Sequence, residues 1–202
     1  MIKVHHLNQS RSTRILWLLE ELQMEYEVEH HQRDEQTRLA QPSLGQVHSL
    51  NKAPIIEHNG LKICESGAIV EYILDHAKHS NLRPEKGTRA YYQYLEWCHF
   101  AEGSLALPVI ASLLMQMESR DGAQAMDGYI AKELKLDLSF IDATLSEQRY
   151  FAGEQFTAAD IMMTVILEIA LSANLIENRP QISRYLADMQ ARCAYQRARA
   201  YG

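Results

Sequence analysis

Apolar positions in the first part of the chain alternate between two periodicities, and the changes of period mark out the elements. Val4 to Leu7 reads as a short strand and is followed by a polar turn of small hydroxyl residues. Ile15, Leu18, Leu19 and Leu22 then recur at i, i+3, i+4 and i+7, the spacing of one helical face. Tyr26 to His30 alternates with period two and predicts a second strand, parallel to the first and reached through the Ile15 to Leu22 helix by a right-handed crossover. Arg38 to Leu50 is polar with Pro42 and Gly45, which predicts an irregular stretch with at most a short helix. Ile55 to His58 and Leu61 to Cys64 flank Asn59-Gly60, a pair whose tolerance of positive φ makes it a strong hairpin signal. Ile69, Tyr72, Ile73 and His76 return to helical spacing behind Ser66, a natural N-cap.

After His76 no further strand is predicted. Lys78 to Gly87 is polar, holds Pro84 and Gly87, and reads as a linker. An aromatic-rich helix is expected from about Arg89 to Met117, with a kink or break near Gly103 and Pro108. Ile130, Leu134, Leu138, Ile141 and Leu145 form one face of a helix over Tyr129 to Ser146. Thr157-Ala158-Ala159-Asp160 opens the next as a capping box, the Asp160 carboxylate reaching back in place of the more usual Glu. A final helix follows Pro180 with Ile182, Leu186, Met189 and Cys193 as its stripe.

At 202 residues with 47% hydrophobic positions, the chain can bury a substantial core. Its net charge of −6, with no concentrated basic face, argues against nucleic acid as a partner. The most apolar later run, Ile161 to Ala173, is broken by Glu168 and is too short for a bilayer, so neither a membrane span nor a secretion signal is expected. Cys64, Cys98 and Cys193 are odd in number and far apart, which fits reduced core thiols in a cytoplasmic protein.

Candidate chemistry begins at Ser10, which stands between strand and helix. The first amides of a helix lack partners and favour an anion, although a Ser at such a turn also serves simply as a cap. Ser10 to Leu22, Asn51-Lys52-Ala53-Pro54, Glu65-Ser66-Gly67-Ala68-Ile69, and Tyr150 to Asp160 are similar in order and spacing to signatures of the glutathione transferase family. Val4-His5 and Ala101 to Leu105 most resemble the yeast-type and bacterial serine-containing members. The resemblance implies a thioredoxin-like α/β domain (βαβ–ββα) over residues 1–79, a linker over 80–87 and an all-helical domain over 88–202. It also implies a cytoplasmic homodimer that detoxifies small electrophiles or hydroperoxides with glutathione as co-substrate.

On that resemblance Pro54 is the family's cis-proline and Ala53 holds the cysteinyl backbone of glutathione as an added strand would. Glu65 and Ser66 take the γ-glutamyl ammonium and carboxylate, and Lys52 the glycyl carboxylate. Ser10 faces the sulfur as a hydrogen-bond donor, with Ser12 and Asn8 as competitors for that place. A cysteine thiol titrates near 8.5, and donation to its thiolate alone lowers that value; a fall of about two units corresponds to about 2.7 kcal/mol. An electrophile pocket is expected on the aromatic helix at Tyr94, Trp97, Phe100 and Ser104.

The chain departs from the family pattern at Asn51, where glycine is common, and has neither a tyrosine at the end of the first strand nor a cysteine in the turn. The pairs His5-His6 and His30-His31 suggest no metal, since neighbours on a strand point to opposite faces. The alternative to an enzyme is a transferase-like scaffold that binds a protein partner.

Overall fold

The computed structural model describes residues 1–202. In chain order the elements of the first part are β1 (Ile2–Leu7), α1 (Thr13–Glu21), β2 (Tyr26–His31), α2 (Pro42–Val47), β3 (Ile55–His58), β4 (Leu61–Cys64) and α3 (Ser66–His76). There follow α4 (Arg89–Phe100), a π-helical turn (Ala101–Leu105), α5 (Ala106–Gln116), α6 (Ala125–Glu147), α7 (Ala158–Ser172), α8 (Pro180–Gln190) and α9 (Cys193–Arg199). The chain forms two compact units, Met1–Ser80 with Ala191–Gly202, and Asn81–Gln190.

The first unit is built on a four-stranded sheet of order β2-β1-β3-β4, with β1 and β2 parallel and the other pairs antiparallel. This is the βαβ–ββα order expected from the periodicities. Side chains alternate across the sheet. Leu7 and Ile55 meet Leu44 and Val47 of α2 on one face, while Val4 and His6 point to the other and are buried there. α1 is buried at every position from Thr13 to Leu19. Its second neighbour is α9: the Trp17 and Tyr195 rings meet edge to face at 5.1 Å, and Arg192 grips Glu21 with two hydrogen bonds of 2.7 and 2.9 Å. The expected helical domain over 88–202 therefore gives up its last residues, from Ala191, to the first unit. Cys193 belongs to α9 and not to the α8 stripe. It is exposed, and Cys64 and Cys98 are only half-buried, so the cysteines are not the core residues expected.

In the second unit α4, the π turn and α5 run on as one helical path over Arg89–Gln116, which is long and apolar enough by length and composition alone to cross a membrane. Tyr94, Trp97, Leu105 and Val109 on this path are buried in the unit's core. The expected break near Gly103 and Pro108 takes the form of the π turn. Pro108 removes the hydrogen bond to the carbonyl four residues before it and crowds that carbonyl, and the widened ladder lies there. α6 starts at Ala125, earlier than the apolar face suggests, because Gln124 and Asp127 form a capping box of their own.

At the start of α7 the expected reciprocal cap between Thr157 and Asp160 is present. The wholly buried Asp160 carboxylate also accepts from the Phe151 amide at 3.0 Å, the Thr157 amide at 2.8 Å and the Tyr185 hydroxyl at 3.1 Å. One side chain thus ties the 150–157 loop, α7 and α8 together.

Candidate functional site

Strand register brings three separated segments to one end of the sheet. His5 lies opposite Ile55 and Ile55 opposite Cys64. The turn that leaves β1, the Ala53–Pro54 peptide that enters β3 and the Glu65–Ser66 corner that leaves β4 therefore share that end. The Ala53–Pro54 bond is cis.

In the first segment, Asn8 to Ser12 folds back on itself. Arg33 closes the turn: its amide donates to Asn8 Oδ1 at 2.8 Å and its guanidinium to the carbonyls of Asn8 and Gln9. Ser12 holds the N-cap position of α1, but its side chain makes no cap. The hydroxyl instead turns back to the strand, lying 2.9 Å from His6 Nδ1 and accepting the Leu7 amide at 3.2 Å. Ser12 is wholly buried. Ser10 is half-buried, with its Oγ 2.7 Å from Ser12 Oγ and accepting the Ser12 amide at 3.2 Å.

In the second segment Asn51 adopts φ 48°, the left-handed conformation that glycine would supply, and its Nδ2 donates to the Ala40 carbonyl at 3.2 Å. Asn tolerates that region better than most side chains, so the departure from the family's glycine is absorbed. Lys52 is exposed beside it.

At the third segment the expected cap moves by one residue. Glu65 is the N-cap of α3, with φ 73° and ψ 120°, and Ser66 is the first helical residue. Gly and a few polar residues apart, side chains seldom occupy positive φ, and such a residue held by its surroundings often marks a binding site. Glu65 is exposed and Ser66 buried, so a free carboxylate stands beside the unpaired first amides of an eleven-residue helix. Two hollows of the unit, about 190 Å³ around His58 to Lys62 and about 290 Å³ around Glu20, Arg197 and Tyr201, lie elsewhere.

These three corners bring together a hydroxyl, a backbone edge, a carboxylate and a helix N-terminus. The family models of the glutathione S-transferase N-terminal domain and C-terminal domain match residues 1–75 and 106–192. The chain belongs to the glutathione S-transferase family. The transferase is 37% identical to glutathione S-transferase 3 of Schizosaccharomyces pombe over 175 residues, 81% of this chain and 72% of that one. It is 29% identical to glutathione S-transferase 1 of Saccharomyces cerevisiae, covering 100% of this chain and 97% of that one. Among solved structures, a glutathione S-transferase from Actinobacillus pleuropneumoniae superposes with a TM-score of 0.90 at 30% identity over 100% of this chain and 92% of its own. A glutathione transferase from Phanerochaete chrysosporium, solved with oxidized glutathione, shares the fold at a TM-score of 0.82 and 18% identity, covering 99% and 94%. The transferase is accordingly an enzyme of this family.

Two expectations change in the structure. Tyr94 and Trp97 are fully buried in the second unit, where Trp97 packs against Phe140 at 5.2 Å and Phe151 at 4.6 Å; Phe100 is half-buried and Ser104 exposed. Aromatic residues at helical spacing pack into the core first. The histidines do gather, across strands and not within one. His5 Nδ1 lies 3.1 Å from His31 Nε2, with Glu29 beside both, a grouping that register made and that reading each strand alone missed. Its members are already paired. His5 Nε2 reaches Glu57 at 3.0 Å, His31 Nδ1 reaches Ser43 at 3.3 Å, and Lys3 holds Glu29 at 2.6 Å. A single run of contacts from Ser43 through His31 and His5 to Glu57 gives every ring nitrogen of the two histidines a hydrogen-bond partner. Burial, first of all, and then the neighbouring His5 hold His31 below its ordinary value, against the pull of the Glu29 carboxylate.

Proposed function

We propose that the transferase lays glutathione across the three corners and activates its thiol through Ser10. The Ala53 backbone pairs with the cysteinyl backbone, and Lys52 reaches the glycyl carboxylate. Ser66 and the first amides of α3 take the γ-glutamyl carboxylate, and Glu65 its ammonium. The observation that carries this reading is the meeting of a half-buried Ser10 with a left-handed, exposed Glu65 at one sheet end.

Ser10 donates a hydrogen bond to the thiolate and keeps its own proton. Donation to the charged form alone lowers the thiol's pKa, so more thiolate stands ready at neutral pH. Ser12 is too deeply buried for the task; Asn8, whose Oδ1 accepts the Arg33 amide, still has its Nδ2 as a donor and is the competitor that the test must separate. The thiolate then attacks a small electrophile or reduces a hydroperoxide, in a detoxifying enzyme that works as a cytoplasmic homodimer without a metal.

The test is the ultraviolet thiolate absorbance of bound glutathione against pH. Ser10→Ala should raise the thiol pKa by about two units, leave glutathione affinity nearly intact, and recover much of its rate at high pH. A Ser10→Ala titration identical to wild type, with a shifted Asn8→Ala, would transfer the role to Asn8.

A further inference from the structure

Ser10 is the outer end of a chain that runs inward through Ser12 to a buried histidine. Ser10 Oγ lies 2.7 Å from Ser12 Oγ, and Ser12 Oγ 2.9 Å from His6 Nδ1. His6 is 1% exposed, and its other nitrogen, Nε2, is buried without a hydrogen-bond partner. We propose that His6 is a positioning residue: its ring, carrying its proton on Nδ1, turns the Ser12 hydroxyl toward Ser10 and so leaves the Ser10 hydrogen for the ligand.

The argument is a count of lone pairs and hydrogens. Each hydroxyl has one hydrogen and two acceptor positions. Ser12 Oγ accepts the Leu7 amide, which leaves one acceptor position and one hydrogen for His6 and Ser10. If Nδ1 carries the proton, His6 fills that position and Ser12 must donate outward. Its two remaining acceptors are Ser10 Oγ at 2.7 Å and the Leu7 carbonyl at 3.3 Å, and the shorter contact is to Ser10. Ser10 then accepts from both the Ser12 hydroxyl and the Ser12 amide at 3.2 Å. Both its acceptor positions are full, and only its hydrogen is left to offer.

The other tautomer reverses every bond. With the proton on Nε2, Nδ1 accepts from Ser12, Ser12 accepts from Ser10, and Ser10 presents a lone pair to an incoming thiolate, which repels it. The environment of Nε2 decides between the two. Nε2 has no partner within hydrogen-bond distance, so a proton there would be an orphaned buried donor, which is rarer and costlier than an under-used acceptor; the Gly202 backbone is the one neighbour that favours a proton on the ring. His30, Arg199 and the Gly202 backbone are the groups that face the ring. Burial, the largest influence, lowers the His6 pKa, so the ring is neutral near pH 7 and has a single proton to place. No proton is transferred along the chain, which acts only by direction.

The inference rests on Ser10 as donor, and the tests separate the two. Nitrogen NMR of labelled His6 in the free enzyme should show Nδ1 protonated and Nε2 bare; the opposite tautomer overturns the inference without involving glutathione. His6→Leu removes the inner donor, so Ser12 becomes a competitor for the Ser10 hydrogen and the pKa of bound glutathione should rise by about one unit. His6→Asn, which keeps an N–H at the same depth, should titrate close to wild type. Adding Ser12→Ala to His6→Leu removes the competing oxygen and should bring the value back down, whereas a purely structural role predicts that the double variant is worse. If Ser10→Ala shifts the thiol and His6→Leu does not, His6 has no such role and Ser10 keeps its own. If Ser10→Ala shifts nothing, the reading of Ser10 fails first.

Discussion

Glu65 occupies a backbone conformation, φ 73° and ψ 120°, that costs about 1 to 3 kcal/mol for a residue with a Cβ. Glycine would adopt it without strain but would lose the carboxylate. Glu65→Gly should therefore stabilise the fold by about 1 kcal/mol in chemical denaturation, while raising the glutathione Kd tenfold or more in calorimetry. A variant that gains stability and keeps its affinity would remove Glu65 from the site. Asn51 makes the same point from the other side. As a sequence feature it looks like the loss of a glycine, and only its φ of 48° shows that the turn survives. Ser10 and Ser66 stand at turns in the pattern and were legible there, whereas Lys52 and Glu65 were candidates only through the family resemblance. The part played by His6 was not legible, because a histidine within a strand carries no signal of what it will face.

α7 shows how far an element can be read from its ends. The Thr157–Asp160 cap was visible as spacing, but the further donors from Phe151 and Tyr185 come from outside the helix. Asp160→Ala would strand the Phe151 amide, the Thr157 amide and the Thr157 hydroxyl, each worth about 1 to 3 kcal/mol before relaxation, while the Tyr185 hydroxyl keeps the Asp160 main-chain carbonyl at 3.2 Å. The loss should exceed the roughly 1 kcal/mol of a simple cap and be seen as a lower Tm. Burial pushes the Asp160 carboxyl up to about 6, against the pull of those hydrogen bonds. An unfolded Asp titrates near about 3.9, so between about pH 4 and 6 the native state holds the extra proton. This group's part of the stability accordingly falls as pH rises through that window and is level above it. Denaturation curves from pH 4 to 7 should show that slope in wild type and lose it in Asp160→Asn.

The division of the whole molecule departs from the division of the sequence. Polar residues with Pro84 and Gly87 mark a boundary in the sequence, while the compact units are Met1–Ser80 with Ala191–Gly202, and Asn81–Gln190. Trp17, Glu20 and Glu21 of α1 are met in the first unit by Tyr195, Arg197 and Arg192. Truncation after Gln190 should expose Trp17 and strip hydrogen-exchange protection from α1, while the amides of α7 in the second unit keep theirs. Equal loss in both helices would contradict the assignment.

The amino-acid sequence by itself determined the βαβ–ββα order of the first part, the hairpin at Asn59-Gly60, the capped start of α7 and the turn that holds Ser10. Each of these rests on hydrophobic period, turn chemistry or capping within a few neighbouring residues. Tertiary structure alone decided that His5 meets His31, that His6 reaches Ser10 through Ser12, that Tyr94 and Trp97 are core and that α9 closes over α1. Three of these are pairings set by strand register, backbone turning and helix docking. The fourth is a matter of which helix face the other helices cover. None leaves a mark in local spacing.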